Sequence, residues 1–102
     1  MNIDEIKMAF PNPVIARSMS DQREAVGKEY CVGGALCRSM GEPFQQYDFP
    51  ASSTLTDALL GANPALPPMI AMDTARHIVR TNDKADFERA WHLLQTALEY
   101  TE

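Results

Sequence analysis

The run Tyr30-Cys31-Val32-Gly33-Gly34-Ala35-Leu36-Cys37-Arg38-Ser39-Met40-Gly41 constrains this chain more than any other feature. Eight uncharged residues, Tyr30 to Cys37, lie between Glu29 and Arg38, and four of them (Cys31, Gly33, Gly34 and Ala35) are small. Glycine and alanine leave no side chain to hold a neighbour away, so such a segment suits burial with its backbone pressed against another element. It marks the centre of the fold and names no reaction.

The 102 residues predict one helical domain, 1–102, with a single core. Hydrophobic residues make up 45% and charged residues 23%, the profile of an ordinary globule. No apolar stretch approaches the roughly 20 residues needed to span a bilayer. The opening Met-Asn-Ile-Asp-Glu is acidic and lacks the basic-then-apolar order of a signal peptide, so a cytoplasmic location is expected. Nine basic residues against fourteen acidic ones give a net charge of −5. That balance argues against a phosphate-backbone footprint and permits a basic protein partner. Cys31 and Cys37, if on one helix, differ by about 240° around its axis, which rules out a disulfide between them.

Proline and glycine divide the chain into about five helices. Asn2 is placed to cap a first helix with Ile3, Ile6 and Phe10 on one face, ended by Pro11-Asn12-Pro13. Residues 14–19 fit a short helix or an extended segment equally well. A second helical stretch starts at Ser20 or Asp21, with a break near Gly27, and runs to Gly41. Val26, Tyr30, Gly33, Cys37 and Met40 form its stripe, and residues 29–40 are its central small-residue part. Residues 42–52 read as a loop whose Phe44, Tyr47 and Phe49 lie over the core or line a binding site. Ser53 or Thr54 caps a third helix carrying Leu55, Ala58, Leu59 and Ala62, closed by Gly61-Ala62-Asn63-Pro64. Pro67-Pro68 opens a fourth, with Ala71, Thr74, Ala75 and Ile78 inward. Asn82 or Asp83 caps a fifth, with Phe87, Ala90, Trp91, Leu94 and Leu98 on its apolar face. The expected fold is an all-α bundle around residues 29–40.

Tyr30-Cys31-x-x-Gly34-Ala35-Leu36-x-Arg38-x-x-Gly41, a Leu-rich helix, and then Asn82-Asp83 before a last amphipathic helix resemble a family of small uncharacterised bacterial and phage proteins. Those proteins carry Trp-Cys-x-x-Gly-Ala-Leu and, some forty to fifty residues later, Asn-Asp. The resemblance covers roughly residues 29–98, and this chain departs from it by having Tyr30 in place of the tryptophan. It implies a helical fold and a bacterial or mobile-element origin, and brings no activity with it.

Four residues stand out as candidate ligand-binding positions: Cys31, Tyr47, Asn82 and Asp83. A thiol near a helix N-terminus has its pKa lowered by the dipole and open amides, and His77 or His92 would have to serve as its base. The competing role for Cys31 and Cys37 is as small buried hydrophobes, and that role is expected. Asp73 with His77 and Glu88 with His92 are i, i+4 pairs at matching heights in a helical hairpin, the residue types that hold zinc or iron. All four lie more than about 90° from their helix's apolar stripe, so surface ion pairs account for them, and neither a metal nor a cofactor is expected. Asn82-Asp83 is expected to cap the last helix. Its alternatives are a ligand contact or a hydrogen bond to the Cys31 helix that fixes their packing. Gly33-Gly34 lacks the spacing of a phosphate loop.

These features together predict a small, acidic, non-enzymatic accessory or regulatory protein, of mobile-element or phage origin, that binds another protein or itself. Nucleic acid and membrane are not expected partners. The alternative is a small-molecule-binding domain, or a cysteine-dependent enzyme using Cys31.

Overall fold

Where the chain leaves each helix decides how the helices stack. The structure, a computed structural model, describes residues 2–15, 30–41 and 50–102. Five helices are found there: α1 (Ile3–Ala9), α2 (Val32–Ser39), α3 (Ser52–Ala62), α4 (Pro68–Asp83) and α5 (Phe87–Leu98). No strand occurs among the described residues, and the fold is the expected all-α bundle. No described helix is long and apolar enough to cross a membrane.

Asn2 caps α1 as expected, its Oδ1 accepting from the Asp4 N–H at 2.7 Å. Ile3 and Ile6 point into the core. Gly41, at φ +81°, closes α2 by donating its N–H to the Arg38 carbonyl at 3.0 Å, where a side chain would resist the left-handed conformation. Pro67 and Pro68 open α4, and Asn63 ends α3.

Three expectations are corrected. The central helix begins at Val32, so Tyr30 and Cys31 precede it. Tyr30 is committed elsewhere: its carbonyl accepts from Val14 N–H at 2.8 Å, and its hydroxyl accepts from Asn12 N–H at 2.9 Å. Its ring meets Phe10 edge-on at 5.1 Å, with the Arg38 guanidinium 5.4 Å from the Phe10 centroid. Helix α3 starts at Ser52, one residue before the earlier of its two expected caps, and its N-cap Ala51 makes no side-chain cap bond. The last helix is capped by Asp86, whose Oδ1 accepts from Arg89 N–H at 3.2 Å, and not by Asn82 or Asp83. Helix α4 runs on through both of those residues. It stops in a Schellman turn, with Asp86 N–H donating to Thr81 O and Ala85 N–H to Asn82 O, around Ala85 at φ +61°. The expected start at Ser20 or Asp21, the break near Gly27, stripe residue Val26, most of segment 14–19, and the aromatics Phe44, Tyr47 and Phe49 lie outside the described residues.

One apolar cluster draws on every helix: Ile3 and Ile6, Val32, Ala35, Leu36 and Cys37, Leu55 and Leu59, Ala71, Ala75 and Ile78, and Ala90, Trp91 and Leu94. Leu36, Leu55, Leu59, Ile78 and Leu94 are fully enclosed, and each such side chain contributes roughly 2 kcal/mol by leaving water. Helix α4 packs most extensively, against α3 on one side and α5 on the other. Helix α2 nests against α4 and α3 through its small residues. A Cβ built on Gly33 would lie 3.0 Å from Leu55 Cδ2, so the close approach of α3 leaves a side chain there too little room unless Leu55 shifts.

Candidate functional site

The candidate residues Cys31 and Asn82 come together where α2 begins and α4 ends. Cys31 is the N-cap of α2, in extended conformation, and its Sγ accepts from the Gly34 N–H at 3.3 Å. Sulfur thus takes the place that a serine or aspartate oxygen usually holds at a helix start. The residue is 5% exposed. Burial pushes its thiol up from 9.0 to about 11; the Gly34 and Gly33 amides pull it down, and the nearby Asp83 carboxylate adds a smaller upward push. Desolvation outweighs the helix start here, and the group is a neutral thiol at pH 7. Thiolate is the nucleophilic form, so the site withholds the species that covalent chemistry needs. Neither cysteine is in a disulfide.

Asn82 is the one buried polar side chain among the described residues, at 1% exposure. Its Oδ1 accepts from the Val32 N–H at 3.0 Å, and its Nδ2 donates to the Val14 carbonyl at 3.0 Å. Val32 N–H is an open amide of α2's first turn, which no residue of α2 itself can satisfy. One amide side chain therefore joins the extended segment after α1, the start of α2 and the end of α4. This is the bond to the Cys31 helix that stood as the alternative to capping. Asp83, the next residue, is exposed and reaches the site through its charge on Cys31. The fourth candidate, Tyr47, lies outside the described residues.

His77 and His92 are exposed, on α4 and α5, whereas the Cys31 thiol is enclosed. Asp73 and Glu88 are exposed as well, as their angular positions predicted. Among the described residues no group of three or more His, Cys, Asp or Glu side chains is arranged to hold a metal ion.

A second asparagine escaped sequence reading. Asn63, the C-cap of α3, donates through Nδ2 to the carbonyls of Ala97 and Tyr100, both at 2.9 Å, and its Oδ1 accepts from Ala65 N–H at 3.2 Å. It serves the open carbonyls at the end of α5. The local signal at Asn63-Pro64 speaks only of a helix end, and nothing in it announces a partner more than thirty residues away.

No family model matches the chain, and no curated protein or solved structure matches it.

Proposed function

We propose that this chain works by binding another protein, as a small acidic accessory or regulatory module and not as a catalyst. The observation that carries the reading is the outer face of α4 at its first turns. Met69 is 73% exposed, Ile70 41% and Met72 38%, on a helix whose opposite face is sealed by Ala71, Ala75 and Ile78. Large apolar side chains grouped at one place on a small domain mark a contact surface, and methionine adapts its shape to a partner. The net charge of −5 favours a partner with a basic rim around its own apolar patch, whose association slows as salt is added. The neutral, enclosed Cys31 thiol supports binding over cysteine chemistry. The resemblance of segment 30–41 to small bacterial and phage proteins fits an accessory role in a mobile element.

A photo-crosslinker at Met69, with another at Glu88 on α5 as the control, tests the reading in the source cells. The expected result is one protein, or a second copy of this chain, captured from Met69 alone and lost on Met72→Glu in a folded protein. Equal capture at both positions, or capture unaffected by Met72→Glu, overturns it.

A further inference from the structure

Helix α1 buries the fewest residues of the five: Ile3 and Ile6 are enclosed, while Asp4, Glu5, Lys7, Met8 and Ala9 are exposed, Met8 at 83%. Among the described helices it packs on α5 and α2 alone. A helix shorter than roughly 12 residues does not hold its shape in water without packing, so α1 stays wound only while those two isoleucines stay docked. The chain just beyond it is held by directional bonds instead. The Phe10 ring meets Tyr30 edge-on, the Asn12 and Val14 N–H groups donate to the Tyr30 hydroxyl and carbonyl, and the Val14 carbonyl accepts from the buried Asn82. A lightly docked unit thus ends at a pinned strap, which places a hinge at Ala9–Phe10. On its inner side, Ile3, Asp4 and Lys7 line one groove with Trp91, the chain's single tryptophan and a member of the apolar cluster, 7% exposed.

We propose that α1 is a detachable cover: it leaves the seam between α2 and α5 as one unit, unwinding as it goes, while the strap stays fixed at Tyr30 and Asn82. Closed, it shields the part of the core around Trp91. Open, it presents that apolar face while α2 to α5 remain folded. Exposure of the face is set by an equilibrium within α1 itself, which any change to Ile3, Ile6 or the helix backbone shifts. The device goes beyond the protein-binding reading and uses none of the α4 face, so either can fail alone.

Amide hydrogen exchange on the full chain, resolved by residue, tests the unit directly. The amides of residues 6–10 should exchange as one group with a common protection factor, at least about 100-fold below those of Val14 and Val32. Lys7→Pro then removes the helix without altering a buried side chain, and Ile6→Ser removes the docking. In both variants Trp91 emission should move to the red and its access to acrylamide should rise at least about twofold, with α2 to α5 still folded. Val14 and Val32 should lose no more than the factor by which α1 is protected in the parent, because a detached unit withdraws only its own docking energy. The proposal fails if residues 6–10 are protected as strongly as Val32, or if protection climbs steadily from Ile6 to Phe10, the mark of simple fraying. It fails equally if either variant unfolds the bundle, or if Trp91 stays as shielded in both as in the parent.

Discussion

Asn82 and Val32, fifty residues apart, are joined by a 3.0 Å hydrogen bond from the first amide of α2 to the last turn of α4. The same side chain donates to Val14, so three pieces of backbone converge on one buried amide. The Cys31 corner is therefore organised as a joint between elements.

Replacing Asn82 by alanine or leucine should be among the most damaging single changes. Val32 N–H would be left buried and unpaired, and Val14 O would depend on water. The expected loss is about 2–4 kcal/mol, read from the urea midpoint at unchanged slope. A loss under about 1 kcal/mol would show that the joint does not hold the fold together.

Gly33→Ala tests the contact of α2 with α3. Alanine favours a helix over glycine by roughly 0.5–1 kcal/mol, but its Cβ would crowd Leu55, which is enclosed on all sides. Crowding should prevail, with a net loss of about 1 kcal/mol. In the Leu55→Val background the penalty should shrink, and a double-mutant cycle measures that coupling.

Cys31 makes stability depend on alkaline pH. Its thiol titrates near 11 in the folded chain and near 9 when unfolded, so the unfolded state releases its proton first as pH rises. This contribution is whole below about pH 8 and declines between about 9 and 11, by roughly 2–3 kcal/mol at its end. The difference in stability between the parent and Cys31→Ala should narrow over that interval, which separates Cys31 from other alkaline titrations. Alkylation of Cys31 by iodoacetamide at pH 7, resolved by mass spectrometry, should proceed only as fast as the chain opens.

Ala85 sits at φ +61°, a conformation that costs an L-residue about 1–2 kcal/mol, in the Schellman position usually held by glycine. Ala85→Gly should stabilise the protein by up to about 1 kcal/mol, after allowing for the freer unfolded chain. Thermal unfolding checks the sign.

Asn63→Ala should release the chain after α5, since Ala97 and Tyr100 lose their shared donor. The expected cost is about 1–2 kcal/mol, with faster amide exchange confined at first to residues 97–102. Uniform exchange across α5 would contradict that local role.

Helix content, the apolar faces of α1, α4 and α5, and the burial of residues 31–37 were legible from the sequence. They follow from periodicity, proline placement and side-chain size, which act within a few residues. The ends of α2 and α4 were misjudged for one shared reason. Tyr30 continues a helical stripe, yet its bonds to Asn12 and Val14 hold it in extended form. Asn82 has the chemistry of a cap, yet helix α4 passes through it and turns at an alanine where local rules look for glycine.

The sequence by itself determined that this chain is an acidic, helical domain built around a small-residue segment, because composition and spacing dictate which faces leave water. Only the tertiary structure decided that Cys31 is a protonated cap and that Asn82 and Asn63 tie distant backbone together. Those roles depend on which open backbone groups meet which side chains once the helices have packed, and no local pattern contains that meeting.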